Sequence, residues 1–143
     1  MKLQDILYKV GIEKLVGITN LKISNVKFDS RKIEKEGLFV AIKGTVYDGH
    51  QFIAAAIENG AVAVVLEEIP EELNEKITYI KVQNSNDALG IIAANFYDNP
   101  SERIKLVGVT GTNGKTTIVS LLHQLFVLLN VKVGMLSTIQ NKI

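Results

Sequence analysis

The chain has 143 residues, of which 47% are hydrophobic and 22% charged, and these proportions are typical of a globular protein. Its formal net charge is only +1, so no overall basic field predicts a nucleic-acid partner. Cysteine is absent, which excludes disulfide bonds and cysteine-ligated zinc and is compatible with a reducing compartment.

The sequence shows neither a secretory signal nor a membrane span. Residues 1–5 lack the basic start and apolar stretch of a signal peptide. The longest apolar segment, residues 118–129, is interrupted by polar side chains and is shorter than the roughly 20 residues that cross a bilayer. We therefore expect a cytoplasmic protein with no membrane partner.

Apolar spacing along the first part of the chain predicts alternating helices and strands. Residues 2–10 have the spacing of a short helix, and residues 21–28 alternate like a strand. The apolar run over residues 38–42 predicts a buried strand. Asp48 is a plausible N-cap for the next helix, which Gly60 is placed to end.

Two further strands, over residues 61–66 and 78–82, and a helix over residues 85–97 complete this pattern. The acidic segment between the two strands is predicted to be a solvated loop. Strands and helices with short connections predict an α/β fold for residues 1–98, followed by a hinge over residues 99–103.

The most specific motif lies in the last third of the chain, where residues 108–116 are predicted to form a P-loop of the type G-x-x-x-x-G-K-[ST]. A strand is predicted over residues 104–109, before the glycines. An amphipathic helix is predicted from Ile118 to Leu129, and a second strand over residues 131–136. These elements predict a βαβ unit with parallel strands.

The chemistry of phosphate binding explains the residue types in this loop. Gly111 and Gly114 allow a tight turn and a close approach of the backbone to phosphate oxygens. The loop amides and the helix N-terminus then form a site for anions. Lys115 is expected to reach the β- and γ-phosphates as the catalytic residue, and the Thr116 hydroxyl to ligate Mg²⁺.

Two separate blocks of sequence carry a family resemblance. Residues 111–117, GTNGKTT, resemble the ATP loop of the Mur ligases. Before them lie segments that resemble the UDP-binding domain of the MurE type, which adds the third residue to the stem peptide of cell-wall precursors. These segments are Asp29-Ser30-Arg31, Gly37-Leu38-Phe39-Val40-Ala41-Ile42-Lys43-Gly44, Asp48-Gly49-His50 and Gly60-Ala61-Val62-Ala63-Val64-Val65.

The resemblance implies site residues and domains. UDP-substrate contacts are expected from Phe28, Ser30, Thr45, Val46 and Tyr47. ATP contacts are expected from the whole loop, which comprises Gly111, Thr112, Asn113, Gly114, Lys115, Thr116 and Thr117. Residues 1–98 would be the UDP-substrate-binding domain and residues 104–143 the start of the central ATP-binding domain, whose remainder is expected beyond Ile143 together with a C-terminal amino-acid-binding domain.

The resemblance also implies a reaction in peptidoglycan synthesis. An ATP-dependent amide ligase adds diaminopimelate or lysine to UDP-N-acetylmuramoyl-L-alanyl-D-glutamate, through an acyl phosphate that the amine attacks. ATP and Mg²⁺ are the implied cofactors. Family members are usually monomeric, whereas residues 1–143 alone are expected to be inactive and prone to self-association through apolar faces of the short second domain.

Several alternatives remain open from the sequence. A sibling ligase that adds D-alanyl-D-alanine has a similar first domain, although Asn113 and the Asp48-Gly49-His50 motif favour the MurE type. A folylpolyglutamate-synthetase-like enzyme shares the loop style but should lack the Asp29-Ser30-Arg31 block. A non-catalytic nucleotide-binding module and a bare P-loop NTPase are the remaining classes. A reading frame that continues past Ile143 would count against the module, and binding of UDP would count against the bare NTPase.

Three polar residues have two readings each. Arg31 is equally compatible with a structural ion pair and with a diphosphate contact. His50 is better explained by a hydrogen bond at a helix start than by acid–base chemistry, and His123 by a place within a helix. With two histidines and no cysteine, we expect no dedicated transition-metal site.

Overall fold

The computed structural model describes residues 1–44 and 47–142. It divides into two units, Met1–Ile104 and Lys105–Ile143. The predicted assignment of residues 1–98 to UDP-substrate binding, 99–103 to a hinge and 104–143 to ATP binding stays a prediction.

The first unit contains five strands and three α-helices among its described residues. In chain order they are α1 (Leu3–Ile6), β1 (Ile12–Val16), β2 (Asn25–Lys27), β3 (Gly37–Val40), α2 (Ile53–Glu58), β4 (Ala61–Leu66), β5 (Thr78–Val82) and α3 (Ser85–Phe96). Short 3₁₀ turns at Ser30–Lys32 and Gly49–Phe52 follow β2 and precede α2. The predicted α/β fold class is confirmed.

The strands form one sheet in the order β1-β5-β4-β3-β2, in which β2 to β5 are parallel and β1 is antiparallel to β5. The sequence analysis did not predict β1, because this edge strand is largely exposed and lacks a clear alternation of apolar and polar residues. Its place beside β5 covers what would otherwise be an open edge of the parallel sheet.

Side chains of the parallel strands alternate between two apolar layers. Leu38 and Val40 of β3 face the layer that contains α1 and α3, whereas Phe39 and Ala41 face the layer that contains α2. All four side chains are fully buried. The strand therefore reads as a continuous apolar run because both of its faces are covered.

Two predicted elements are shorter than expected. The helix predicted over residues 2–10 ends as α1 at Ile6, and the strand predicted over residues 21–28 is only β2. A turn with Lys9 in the left-handed conformation (φ 61°) follows the helix. The strand is short because the segment before β2 pairs with the N-terminus. Leu3 N donates to Leu21 O at 2.8 Å, and Ile23 N donates to Met1 O at 2.8 Å.

Beyond α3, Asp98 (φ 60°) and Asn99 (φ 49°) both adopt the left-handed conformation, which ends the helix before Pro100. A 3₁₀ turn, Pro100–Arg103, follows.

The second unit contains α4 (Lys115–Leu128), β6 (Met135–Leu136) and β7 (Asn141–Lys142). The predicted βαβ unit is wrong in this structure. Residues 105–110 form no strand, and β6 pairs antiparallel with β7 instead of parallel to a preceding strand. A parallel pair is stable when neighbouring strands and helices cover it, and this unit provides a single long helix.

The apolar face of α4 is exposed. None of its residues is buried, and Leu128 is 80% exposed. Among the described residues, no helix combines the length and the apolar character needed to cross a membrane.

Candidate nucleotide sites

The carboxyl ends of β2 to β5 meet at one edge of the first unit's sheet, because these strands are parallel. Phe28 and Ser30 follow β2, Tyr47 follows β3, Glu67 follows β4 and Ser85 follows β5. Ligands of α/β proteins characteristically bind outside the carboxyl ends of parallel strands. The edge therefore holds the three predicted UDP contacts that the structure describes, whereas Thr45 and Val46 lie outside the described residues.

Ser30 is held firmly in the 3₁₀ turn that follows β2. It is only 7% exposed, and its carbonyl oxygen accepts a hydrogen bond from Asn59 Nδ2 at 2.9 Å. Asp29 caps the 3₁₀ turn by accepting from Arg31 N at 3.1 Å. No hydrogen bond to the Ser30 hydroxyl occurs within residues 1–44 and 47–142, so this group has capacity for a ligand. Sequence reasoning did not find Asn59, which acts only through the fold.

Two aromatic rings are exposed at the same edge. Phe28 is 64% and Tyr47 74% exposed. An exposed ring leaves its face open to a ligand, and nucleobases stack on such rings.

Arg31 forms a two-pronged ion pair with Asp29, with Nε–Oδ1 and Nη2–Oδ2 distances of 2.9 Å. The Arg31 hydrogen bond lowers the pKa of Asp29 below its ordinary value. The geometry therefore favours the interpretation of Arg31 as part of a structural ion pair.

A hydrogen-bond network joins the ends of β3, β4 and β5 below this edge. Glu67 Oε1 accepts from Ser85 N at 2.9 Å and from Ser85 Oγ at 2.8 Å. Ser85 Oγ in turn accepts from Lys43 N at 3.3 Å. The expectation that Glu67 belongs to a solvated acidic face is wrong, because its carboxylate closes the N-terminus of α3 beside the Asn84 cap.

His50 continues the network on its other side. Its Nδ1 lies 2.6 Å from Asp48 Oδ1, and its Nε2 accepts from Glu67 N at 2.9 Å. Because Nε2 is an acceptor, the ring is neutral and carries its proton on Nδ1. Asp48 also accepts from His50 N at 2.9 Å, which confirms the predicted hydrogen bond at a helix start.

These contacts lower two carboxyl pKa values. The hydrogen bond from the His50 backbone, followed by that from its ring, lowers the pKa of Asp48 from its ordinary 3.8. The hydrogen bond from the Ser85 backbone lowers the pKa of Glu67 from its ordinary 4.5. A depressed folded-state pKa stabilises the fold above the unfolded-state value, and this contribution is lost as the pH falls.

We therefore expect the free energy of unfolding of the first unit to decline as the pH falls below the ordinary values of 4.5 and 3.8 and through the lowered pKa values of the folded chain. Urea titrations between about pH 3 and 6 measure this decline, and it should be shallower for Glu67→Gln. Glu71→Gln, at an exposed carboxylate, is the matched control and should retain the wild-type slope. Equal slopes for the two variants would contradict the assignment.

The second candidate site is the glycine loop before α4. Gly111 has φ +147° and Gly114 has φ +78°, so both are in the region that L side chains avoid. Gly108 precedes Gly114 by six positions instead of the five of G-x-x-x-x-G-K-[ST], so the predicted motif type is corrected. The compact form Gly111-x-x-Gly114-Lys115-Thr116 remains, and it ends in the helix N-terminus as expected.

Lys115 lies across this loop. Its ammonium donates to the carbonyl oxygens of Gly111 and, at 3.3 Å, of Thr112. Gly114 supplies no side-chain cap to α4, so the amides of the first turn have no competing side-chain acceptor. Thr116 is half-buried in that turn, while Thr112, Asn113 and Thr117 are exposed.

This donor set fits a triphosphate, since backbone amides, a helix N-terminus and one ammonium converge on the loop. Thr116 follows Lys115 in the first turn of α4, and its role as an Mg²⁺ ligand stays a prediction. The described residues contain no group of three or more His, Cys, Asp or Glu side chains placed to hold a metal ion.

Solved structures of similar fold include MurF from Acinetobacter baumannii, with a TM-score of 0.68 and 26% identity over 90% of this chain and 28% of that one. MurF ligase from Thermotoga maritima, solved in complex with ADP, gives a TM-score of 0.55 and 31% identity over 73% of this chain and 23% of that one.

Two sequence relatives share higher identity with this chain than these solved structures do. Both are UDP-N-acetylmuramoyl-L-alanyl-D-glutamate--2,6-diaminopimelate ligases, 52% identical in Cytophaga hutchinsonii and 50% in Bacteroides fragilis. The alignments cover 99% and 100% of this chain, which spans 29% and 30% of the length of those relatives. A family model described as "Mur ligase family, catalytic domain" matches residues 22–97, more than half of the chain. The resemblance predicted from the sequence is therefore confirmed, and the chain belongs to the Mur ligase family.

Proposed function

We propose that this chain is part of an ATP-dependent ligase that joins 2,6-diaminopimelate to UDP-N-acetylmuramoyl-L-alanyl-D-glutamate. The observation that carries the proposal is the loop at Gly111 and Gly114, with Lys115 across it at the start of α4. The names of the relatives near 50% identity supply the substrates. Because the chain spans about 30% of their length, the activity of the whole protein is an inference.

The relatives also bear on the alternatives. One similar structure, from Acinetobacter baumannii, is named a D-alanyl-D-alanyl ligase, and it and the two MurF structures are 26% to 31% identical to this chain. The relatives named for addition of diaminopimelate are 52% and 50% identical. This difference favours the MurE-type reading over the sibling ligase. Diaminopimelate is proposed as the amino acid because the names of those relatives print it.

The proposed reaction activates a carboxylate. The terminal phosphoryl group of ATP passes to a carboxylate oxygen of the UDP-dipeptide, which releases ADP and forms an acyl phosphate. The amine nitrogen of the amino acid then bonds to the carbonyl carbon, and the C–O bond to phosphate breaks as the amine loses a proton. Phosphate is a good leaving group where oxide is not.

The residues of the loop serve the first of these steps. Lys115 and the first-turn amides of α4 would offset negative charge on the β- and γ-phosphates. The Thr116 hydroxyl would hold Mg²⁺, which would neutralise further phosphate charge. Thr112, Asn113 and Thr117 complete the proposed ATP contacts.

The UDP portion of the substrate is assigned to the carboxyl edge of the first unit. The Ser30 hydroxyl would bond to the nucleotide, while the exposed rings of Phe28 and Tyr47 offer apolar faces to the base or ribose. Thr45 and Val46 belong to the same proposed site by sequence. Cytoplasmic location is part of the proposal, since the reaction consumes ATP and a UDP-linked precursor.

Calorimetric titration with UDP tests this assignment. Wild-type chain is expected to bind UDP, and Ser30→Ala to bind it about five- to tenfold more weakly, because one hydrogen bond to the ligand is lost. Ser101→Ala is the matched control, since this exposed serine follows the end of α3 farthest from the carboxyl edge. No heat with UDP, together with binding of ATP, would point to a bare P-loop NTPase.

The same samples test whether residues 1–143 alone are active and whether they self-associate. We propose that they release no phosphate from ATP with the UDP-dipeptide and diaminopimelate, and that the exposed apolar face of α4 promotes self-association. Turnover at the rate of a complete ligase would refute the first statement.

A further inference from the structure

Residues 42–44 and 47–50 form the two arms of a loop that contains the proposed UDP contact Tyr47. The contacts between these arms are the base of the loop. Gly44 N donates to Tyr47 O at 3.0 Å, and Gly49 N donates to Ile42 O at 2.8 Å. A Cβ atom at Gly49 would lie 2.6 Å from Ile42 N, so the two arms approach more closely than any side chain permits. The base of the loop is therefore an ordered structure.

The His50 ring joins this base to the neighbouring strand. On one side, the Nδ1 atom of the ring contacts Asp48 Oδ1. The backbone of Asp48 pairs with that of Lys43 across the base of the loop. On the other side, the ring accepts the backbone N–H of Glu67, directly after β4. The His50 side chain is only 16% exposed, so water competes poorly for either contact.

The remaining contacts of the network hold the other arm. Lys43 N donates to Ser85 Oγ, and Ser85 is bound by the Glu67 side chain. Both arms of the loop are thus fastened to Glu67, one through its side chain and Ser85, the other through its backbone and His50. The connection through His50 requires the ring to donate from Nδ1 and to accept at Nε2.

We propose that His50 is a positioning residue for the nucleotide site, whose neutral, Nδ1-protonated ring holds Gly44 and Tyr47, at the base of the loop, against the end of β4. The inference rests on the proposed function in taking UDP as the ligand of this loop. Removing the ring leaves the Glu67 N–H without its acceptor and frees one arm. A ligand must then order the loop as it binds, which weakens its affinity.

Three variants test the proposal. His50→Ala is expected to weaken UDP binding about tenfold in calorimetry, at a temperature where unfolding curves show it to be folded. His50→Gln, whose amide offers both a donor and an acceptor, should restore binding to within about threefold of wild type. His123→Ala removes the other histidine, in the second unit, and should leave the affinity unchanged. Unchanged affinity in folded His50→Ala would overturn the proposal.

Nuclear magnetic resonance supplies readouts that do not require UDP. The ¹⁵N shifts of the His50 ring should show a protonated Nδ1 and an unprotonated Nε2, with His123 as the internal reference. The amides of Gly44 and Gly49 should exchange at least tenfold faster in His50→Ala. An Nε2-protonated ring or unchanged exchange would overturn the proposal. Absence of UDP binding by the wild type, with both readouts as expected, would refute the proposed ligand alone.

Discussion

Lys115→Ala is expected to weaken ATP binding by about a hundredfold or more and to leave UDP binding unchanged. The lysine ammonium is the one side-chain charge on the glycine loop, where it donates to the carbonyl oxygens of Gly111 and Thr112. In the proposed complex it exchanges these carbonyls for phosphate oxygens, and charge-assisted bonds of this kind contribute on the order of 1.5–3 kcal/mol each. Titration calorimetry with ATP and with UDP measures both affinities.

Lys132→Ala is the matched control for the loss of a positive charge. Lys132 is exposed and follows α4 in the same unit, so its removal changes the net charge equally without touching the loop. Circular dichroism checks that α4 remains helical in both variants. Retained ATP affinity in Lys115→Ala, or an equal loss in Lys132→Ala, would exclude the loop as the triphosphate site.

Phe39→Ala is expected to lower the free energy of unfolding of the first unit by about 3–5 kcal/mol. Phe39 lies on β3, an interior strand of the sheet, is fully buried and packs in the layer that contains α2. Its removal loses apolar burial and leaves a cavity that β3 cannot close, because neighbouring strands hold it on both sides.

Phe28→Ala is the matched control, since the same substitution falls at a ring that is 64% exposed. We expect its stability to change by less than about 0.5 kcal/mol, while its affinity for UDP falls. Urea unfolding followed by tyrosine fluorescence suits both variants. The chain has no tryptophan, and its four tyrosines all lie in the first unit. A small effect of Phe39→Ala would mean that the core is loosely packed.

The local pattern of apolar and polar residues was sufficient to predict the central elements of the fold. The predicted strands over residues 61–66 and 78–82 agree with β4 and β5 to the residue, and the helix predicted over residues 85–97 ends one residue later than α3. These elements are bounded by Gly60, Asn84 and other residues whose effect on the backbone is local. Both faces of β4 are buried, which explains its unbroken apolar run.

Local pattern failed where an element depends on partners elsewhere. Edge strand β1 is defined by its pairing with β5 more than by its own alternation. Residues 104–109 have the composition of a buried strand, and yet residues 105–110 form none. Apolar residues such as Leu106 make a strand only when adjacent strands and covering helices accept them, and here Leu106 is 78% exposed.

The sequence by itself determined the family, the α/β class and the glycine loop, because spacing and residue type within a few positions specify them. Only the tertiary structure decided what supports the nucleotide edge. Ser30 is held by Asn59, Ser85 by Glu67, and His50 joins Asp48 to the Glu67 amide, over separations of 17 to 29 residues in the longer contacts. Sheet register sets the Ser85–Glu67 and His50–Glu67 pairs, since adjacent parallel strands bring their carboxyl ends together whatever the length of chain between them. Ser30 meets Asn59 because the turn after β2 packs against α2.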